Sequence, residues 1–368
     1  MRGFLAVLKK EAVQMIRDKG SLRFALVIPA FQLALFGFID MNVRHVRTVV
    51  FDQSRTEESR TLLRDFMNTS YFDIVAYAPS RATLREQIVA GRASVGVEIP
   101  PDYARRRLNG QPADVLVLID GSDSTISSQA LAASNGLALS RSLEELGTRF
   151  GVRDLSIRTH PLLLFNPDSR SANLLIPGLV AILLTFSGTL LAAFAIVRER
   201  ERGTLEQLMV TPASPVGVVL AKLLPYLVLG FVQLLLVLFL MTAVFRVPIH
   251  GNTFLLLGLS FVYLFALLAQ GLLISSRATT QMEAIQMAQM FLLPSIMLSG
   301  YIFPLTSLPG PLRIVSQILP ATHFIAISRG IIIRGAGFLD LWPSVAALLL
   351  ISSLLVAGST RAFHKTIS

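Results

Sequence analysis

The sequence predicts an α-helical polytopic membrane protein with six transmembrane helices and an extracytoplasmic α/β domain inserted after the first of them. Charged residues make up only 15% of the 368 residues, whereas soluble domains carry about 25%. Several apolar runs are long enough to cross a bilayer core of about 30 Å. The stretch 41–170 differs from the rest, because short β-rich runs alternate there with helical patterns, as in α/β domains.

The first 40 residues predict a surface helix followed by a span. In residues 1–20, apolar residues fall on one side of a helix and basic residues elsewhere, as in helices that lie on an anionic leaflet. Residues 21–40 form the first transmembrane helix, in which Pro29 predicts a kink. A cleaved signal peptide is the alternative, but the apolar run is longer than an ordinary signal core and no A-x-A site follows it.

Residues 41–170 predict one domain with a mixed sheet. Glycines such as Gly91 and Gly110 are turn signals between its elements. Predicted strands lie at 46–51, 72–77, 93–99, 114–120 and 155–165. Predicted helices lie near 55–68, 80–90, 101–109 and 124–149. The pattern predicts the elements but not the order of the strands in the sheet.

Residues 171–368 form the predicted transmembrane domain. Its spans are 173–197, 218–245, 253–275, 285–303 and 341–358. A charged loop at 198–217 separates the first two of these spans. The segment 304–335 contains prolines at 304, 309, 311 and 320, which exclude one continuous helix. This segment therefore predicts two short re-entrant helices at the outer interface.

The positions of lysine and arginine predict the orientation. With the inserted domain left out, one side of the six predicted spans carries thirteen of these residues and the other side four. The basic side of such proteins faces the cytoplasm, so both termini and the charged loop are predicted to be cytoplasmic. Anionic lipid headgroups account for these basic residues. They do not form the aromatic-interleaved patch that is typical of nucleic-acid binding.

The charged loop predicts a short amphipathic helix. Thr204 and Gln207 fit a capping box, and Pro212 limits the helix to about two turns. Its apolar residues share one face by their i, i+3, i+4 spacing, and they are Leu205, Leu208 and Met209. A helix that rests on the membrane surface is one alternative. The alternating charges of residues 198–202 are also typical of a solvated helix end.

The run RERERGTLEQLMVTPASPVGVVLAKLLPY (198–226) resembles the loop between spans two and three of ABC-2 type exporter permeases. The segments GRASVGVEIPPDYARRRLNG (91–110), VLVLIDGSD (115–123) and 304–335 are also similar to that family. In the family, the loop contains a coupling helix that contacts a separate ATPase subunit. The resemblance therefore implies ATPase coupling at Glu199, Glu201, Arg202, Gly203, Thr204, Leu205, Gln207, Leu208 and Met209.

The same resemblance implies the partners of the chain. Two copies of an ABC ATPase subunit would bind the ATP, so the chain itself would take no cofactor and would not be an enzyme. A second permease subunit, identical or a sibling, would complete a dimer among the lipids of the bacterial cytoplasmic (inner) membrane. The inserted domain would either lengthen the exit path or meet a periplasmic adaptor (membrane fusion) protein.

Polar residues inside the spans are candidates for a translocation path. Unpaired amides are costly in a membrane and should face protein or water, and methionines can repack around varied cargo. The candidates are Gln32, Gln233, Gln286, Gln289, Met290 and Met297. Packing between permanently neighbouring helices accounts for the same residues equally well.

The sequence contains none of the motifs that would indicate a catalytic or metal site. It has no P-loop, no G-x-S-x-G elbow and no H-E-x-x-H pair. It also has no cysteine, which excludes disulfides and thiolate metal sites. We therefore predict a permease subunit that exports a drug-like, amphiphilic or lipid substrate with energy from a separate ATPase. The alternatives are an ion-gradient-driven secondary transporter, which predicts deep charges and an internal repeat, and a membrane receptor with an outer sensing domain.

Overall fold

The computed structural model describes residues 2–39, 45–150, 164–168, 170–201, 203 and 215–367. Its helices are α1 (Arg2–Arg17), α2 (Lys19–Gly37), α3 (Glu57–Asn68), α4 (Arg81–Val89), α5 (Tyr103–Leu108), α6 (Ser124–Phe150), α7 (Ser171–Glu201), α8 (Pro215–Ala243), α9 (Thr253–Arg277), α10 (Gln281–Leu298), α11 (Gly310–Ile318), α12 (Pro320–Arg334) and α13 (Phe338–Ile367). Its strands are β1 (Val46–Asp52), β2 (Phe72–Tyr77), β3 (Val95–Ile99) and β4 (Leu116–Ile119). These elements form two compact units: unit 1 comprises Met1–Asp40 and Leu163–Ser368, and unit 2 comprises Met41–Leu162.

Unit 1 contains the helices that could cross a membrane. Within the described residues, five are long and apolar enough: α2, α7, α9, and most of α8 and α13. The pair α11 and α12, bent by 82°, makes a sixth if it crosses as one broken span. The prediction of a mostly helical polytopic membrane protein is thus confirmed. α10, which corresponds to the predicted span 285–303, is not in this group, because its first half is rich in glutamine and carries Glu283.

α7 is the central helix of unit 1. Most of its side chains from Ile176 to Val197 are buried, and it packs against α2, α8, α9, α10 and α12. The backbones of α7 and α9 approach closely at Gly271, where an added Cβ would lie 2.4 Å from the carbonyl oxygen of Thr189. Few side chains of α2 and α13 are buried, as expected for helices that face lipid or another chain.

Two short helices, α11 and α12, occupy the proline-containing segment after α10. Pro320 is the first residue of α12, and Gly335, with a φ of +67°, ends α12 in a left-handed conformation. The Arg329 guanidinium of α12 donates to the carbonyl oxygens of Gly300 at 2.7 Å and Tyr301 at 3.0 Å. These contacts hold α12 against the end of α10.

Unit 2 contains a four-stranded mixed sheet with helices packed on both faces. The strand order is β2-β1-β3-β4, in which β1 is parallel to β2 and β3, and β4 is antiparallel to β3. One face packs against α3, α5 and α6 through a core that includes Val97 and Phe66. α4 covers the opposite face through Leu84. The predicted strand at 155–165 lies almost entirely outside the described residues.

Candidate coupling site

The candidate coupling site lies where α7 ends and α8 begins. α7 ends at Glu201, Gly203 follows in an exposed turn with a φ of +66°, and α8 begins at Pro215. The described part is the base of the site, which includes three of the predicted coupling residues, Glu199, Glu201 and Gly203. The other six lie outside the described residues and stay sequence-based predictions: Arg202, Thr204, Leu205, Gln207, Leu208 and Met209.

Each of the last four residues of α7 contacts another segment of unit 1. Successive residues of an α-helix point about 100° apart, so four in a row cover all sides of the helix. The partners are Asp18 for Arg198, Lys10 and Lys222 for Glu199, the carbonyl oxygen of Ala278 for Arg200, and Gln281 for Glu201. This end of α7 is therefore enclosed by α1, α8 and the turn between α9 and α10. It is not a freely solvated helix end.

Four side chains at this end of α7 form an ion network, which comprises Lys10, Glu11, Glu199 and Lys222. Lys222 is only 1% exposed, and its ammonium contacts the carboxylates of both Glu11, at 3.2 Å, and Glu199. The half-exposed Lys10 ammonium lies 2.6 Å from Glu199 and 3.0 Å from Glu11. Each ion thus has two partners of opposite charge. Buried charges are tolerated when they are paired in this way.

Charged groups of α1 and of the α1–α2 junction are held in their ionised forms. Burial opposes the charge on Lys10, but hydrogen bonds to Glu199 and Glu11 outweigh it and raise the pKa of Lys10. Burial also opposes the charge on Asp18, yet hydrogen bonds from Ser21 and Arg198 outweigh it and lower the pKa of Asp18 to about 2. The Arg198 guanidinium lies 2.5 Å from the Asp18 carboxylate. Lys10 and Asp18 are therefore both charged at neutral pH.

A second set of contacts joins the end of α7 to the start of α10. The Glu201 carboxylate accepts a hydrogen bond from the backbone N–H of Gln281 at 2.6 Å and another from its side-chain amide. Arg200 donates to the carbonyl oxygen of Ala278 at 2.7 Å. Glu283, in the first turn of α10, accepts from the backbone N–H of Thr279, which lowers the pKa of its carboxyl. The turn between α9 and α10 is thus held to α7 by polar contacts.

The arrangement is suited to transmitting force. Both ends of the loop between Glu201 and Pro215 are held by helices that pack in the core of unit 1. Because α1, α8, α9 and α10 meet at the same end of α7, a force applied to the loop acts on all of them together. Concerted shifts of packed helices are a common form of conformational switching.

The predicted path residues fall into two groups. Gln233 is fully buried in α8 and accepts a hydrogen bond from the Ser187 hydroxyl of α7 at 2.7 Å. This contact favours helix packing as the role of Gln233. Gln32 is half-buried on α2. The other group lies on α10 and consists of Gln286, Gln289, Met290 and Met297, all of which are exposed.

Six exposed residues of α10 form one continuous face. Met282, Leu293 and the four predicted path residues of α10 each lie three or four positions from another member of the set, which places them on the same side of a helix. Met290 is 76% exposed and Leu293 is 60% exposed in the single chain. We call this surface the α10 face. The α10 face carries the amide groups of glutamines and the thioether groups of methionines on the surface of the single chain.

Four charged residues of this region were not predicted from the sequence: Lys10, Glu11, Asp18 and Lys222. Lys222 lies inside the predicted span 218–245, and a lysine within a span indicates a buried partner of opposite charge. Glu11 is an isolated acidic residue on a basic helix. These two signals mark Lys222 and Glu11 as residues that need a charged partner. The pairing itself joins residues 211 positions apart, which no local pattern predicts.

Comparisons with known proteins identify relatives along nearly the whole chain. A family model described as "ABC-2 family transporter protein" matches residues 19–361. The Escherichia coli protein "Probable multidrug ABC transporter permease YbhS" is 31% identical over 90% of this chain and 88% of its own length. "Probable multidrug ABC transporter permease YbhR" is 27% identical over 98% of each chain. "ABC transporter G family member 20" of Dictyostelium discoideum is 26% identical over 95% of this chain but only 49% of its own length.

The matched residues include both sides of the candidate coupling site and the whole of unit 2. They also include every helix of unit 1 that is apolar and long enough to cross a membrane within the described residues. The match therefore covers α7, α8 and the α9–α10 turn of this arrangement, whereas Lys10, Glu11 and Asp18 precede the matched residues. The chain belongs to the ABC-2 family of transporter proteins.

Proposed function

We propose that the chain is the membrane-spanning permease subunit of an ATP-binding cassette exporter. It moves a drug-like, amphiphilic or lipid substrate out of the cytoplasm with ATP hydrolysed by a separate subunit. The observation that carries the proposal is the set of contacts at the end of α7, where four successive residues join α1, α8 and the α9–α10 turn. These contacts provide a base from which a docked motor can act on several helices at once.

Coupling begins at the apolar face of the loop helix. Three apolar residues dock into a groove of the ATPase subunit: Leu205, Leu208 and Met209. Each permease subunit binds one ATPase subunit. When the two ATPases close on ATP, they push the loop. The ion network and the contacts of Arg200 and Glu201 carry this push to the helices. The cycle requires contacts that differ between the inward-facing and outward-facing states. The contacts of Arg198 to Glu201 at the end of α7 would be present in both states.

The α10 face is the proposed lining of the translocation path. Its glutamines orient polar groups of the cargo, and its methionines adapt to different apolar shapes. α10 is also joined to the end of α7 through Glu201 and Gln281. The surface proposed to contact the cargo and the loop proposed to contact the ATPase therefore belong to helices that contact each other directly. Gln32 of α2 is a further path candidate, whereas the contact of Gln233 with Ser187 favours a packing role.

The setting of this exporter is the bacterial cytoplasmic (inner) membrane, with both termini and the coupling loop in the cytoplasm and unit 2 outside. The basic residues near the span ends support this orientation. Two permease subunits, identical or siblings, enclose the path, and two ATPase subunits bind the ATP. Unit 2 lengthens the exit or meets a periplasmic adaptor protein.

The names of two relatives, YbhS and YbhR, include the word multidrug, which supports an amphiphilic or drug-like cargo for this chain. A secondary transporter and a membrane receptor are the competing functions. Copurification of the chain with a P-loop ATPase distinguishes the exporter from both, because neither competitor needs an ATP-hydrolysing partner.

Leu208→Asp tests the docking of the loop helix. A carboxylate on the apolar face prevents burial in the ATPase groove, because an unpaired buried charge is costly. We expect amphiphile-stimulated ATP turnover of the reconstituted complex in nanodiscs to fall to the basal level, with membrane insertion unchanged.

Leu139→Asp is the matched control, since Leu139 is 61% exposed on α6 of unit 2. The control should keep the stimulated turnover. Wild-type stimulation in Leu208→Asp would contradict the docking assignment.

A further inference from the structure

Unit 2 contains a cleft of about 660 Å³ on the sheet face that packs against α3, α5 and α6. Clefts that bind small molecules usually measure about 300–1,000 Å³. Within the part of the chain that the structure describes, every residue that lines the cleft belongs to unit 2. Its size therefore fits one small ligand.

The floor of the cleft is apolar because the core of unit 2 is incompletely covered at β4. Val97 and Ile99 of β3 are fully buried, whereas Val117 and Ile119 of the neighbouring β4 are only half-buried. The apolar lining includes Leu62, Phe66, Val115, Val117, Ile119 and Leu131. Covering this surface with an apolar group removes it from water, which is favourable in proportion to the area buried.

The charged groups around the cleft are mainly basic. Among the described lining residues are two arginines, Arg107 and Arg141, and one carboxylate, Asp65. Asp65 already accepts a hydrogen bond from Arg141, which also donates to Glu144 at 2.7 Å. Glu144 is not part of the lining, and its side chain is 64% exposed, so water screens its charge. The charges that line the cleft thus favour an anionic group over a cationic one.

We infer that this cleft is a binding site for a small anionic amphiphile. The apolar body of the ligand lies on the β4 floor, and its acidic group lies beside Arg107 and Arg141. Guanidinium groups are well suited to carboxylates because they present several N–H donors in one plane. A cationic head would meet like charge and would bind more weakly. The cleft does not include the coupling loop. A negative binding result for the cleft would therefore leave the proposed exporter function unaffected.

The absence of cysteine allows a direct test with the full chain in nanodiscs. Asn135→Cys places a unique thiol on α6 at the cleft, where an environment-sensitive fluorophore can be attached. Titration with dodecanoate should give a saturable blue shift of the emission. Dodecyltrimethylammonium, which has the same chain and the opposite charge, should require at least about a tenfold higher concentration, as expected from the loss of one charge-assisted interaction.

Controls separate the cleft from the bilayer. The same fluorophore at Glu86→Cys, on α4 at the opposite sheet face, should show no saturable shift. Arg107→Gln should weaken dodecanoate binding about tenfold, whereas Arg85→Gln, an exposed arginine of α4, should leave it unchanged. Thermal unfolding of each variant confirms that it is folded.

Three results would overturn the inference. They are an equal response at both labels, equal binding of the two amphiphiles, and unchanged dodecanoate binding in folded Arg107→Gln. Repeating the titration in nanodiscs that contain phosphatidylglycerol identifies the source of the ligand. An emission that is already shifted, and that dodecanoate no longer changes, assigns the same site to an anionic bilayer lipid.

Discussion

At the scale of single residues, Lys222 carries the most information about the coupling site. A lysine that is 1% exposed within an apolar helix would be unstable without partners. Glu11 and Glu199 supply them from two other helices. The buried lysine therefore fixes which surfaces of α1, α7 and α8 meet, because any other arrangement of these helices leaves a charge unpaired.

Removal of the Lys222 charge should destabilise the protein strongly. In Lys222→Met, Glu11 and Glu199 lose their buried partner, and we expect the free energy of unfolding to fall by about 3–5 kcal/mol. A denaturant titration in mixed micelles measures it. Adding Glu199→Gln should recover part of the loss, since the double variant retains only the Lys10–Glu11 pair of the network. Lys9→Met, at an exposed position on α1, should change stability by less than about 0.5 kcal/mol.

The pKa of Asp18 predicts a pH dependence. Its folded value of about 2 lies below the ordinary value of about 3.9, so ionised Asp18 stabilises the fold. This stabilisation is fully present above about pH 4 and is lost as the pH falls through about 2. The melting temperature of Asp18→Asn should therefore lie below that of the wild type at pH 7, and the difference should shrink between pH 4 and pH 2.

Arg198→Gln offers an independent check on the Asp18 prediction, because it removes one of the hydrogen-bond donors that lower the Asp18 pKa. The loss of stability on acidification should then be smaller than in the wild type. A melting-temperature difference between Asp18→Asn and the wild type that stays constant from pH 7 to pH 2 would contradict the assignment.

At the scale of secondary-structure elements, unit 1 is organised by the contact of α7 with α9. Their close approach at Gly271 leaves no room for a side chain, because the nearest atoms belong to the backbone of Thr189 and Ala193 and to the Ala192 methyl group. Backbone atoms cannot move aside as a flexible side chain can. The two helices therefore pack at a distance that only glycine permits.

Gly271→Ala should force α7 and α9 apart. We expect a loss of about 1–3 kcal/mol in the free energy of unfolding, as for other overpacked cores. Gly258→Ala is the matched control on the same helix, because no heavy atom lies within 4 Å of its added Cβ. Alanine has the higher helix propensity, so the control should be neutral or stabilising by up to about 1 kcal/mol. Equal stability of the two variants would show that the helices can separate freely.

At the scale of the whole molecule, two segments are candidates for the crossing that precedes α13. α10 is the predicted fifth span. The bent pair α11 and α12, taken as one broken span, is the segment that is long and apolar enough to cross a membrane. The two topologies place the turn Leu305–Ser307 on opposite sides of the membrane. Both give the same side for the carboxyl terminus, so only this turn distinguishes them.

Single-cysteine labelling decides between these topologies. We expect Thr306→Cys to react with a membrane-impermeant maleimide added to intact spheroplasts, because α10 crosses in the proposed six-span arrangement. Met282→Cys, at a position that is 65% exposed at the start of α10, should react only after the membrane is opened. Protection of Thr306→Cys in intact spheroplasts would show that α11 and α12 cross in place of α10.

Local patterns in the sequence predicted where the strands and helices lie but not which of them contact each other. The predicted strands 46–51 and 72–77 coincide with β1 and β2 to within one residue, because alternation and turn residues are local signals. The pairing of β1 with both β2 and β3 is a long-range choice that these signals do not contain. The contacts of Arg198 to Glu201 are of the same kind. The charge pattern marked this stretch, but only the fold shows that these residues contact α1, α8 and the turn between α9 and α10.

The pairing of Lys222 with Glu11 constrains how the protein is made. The two residues lie 211 positions apart, and a ribosome that adds about 5–20 residues per second needs roughly 10–40 s to cover that distance. During this interval the amino-terminal helix has to wait at the bilayer surface while unit 2 is synthesised. α8 then brings Lys222 into the membrane. The charge of Lys222 is paired only when it contacts both Glu11 and Glu199. Biogenesis of the chain therefore includes a step at which a nascent molecule without a correctly placed first helix retains an unpaired buried charge.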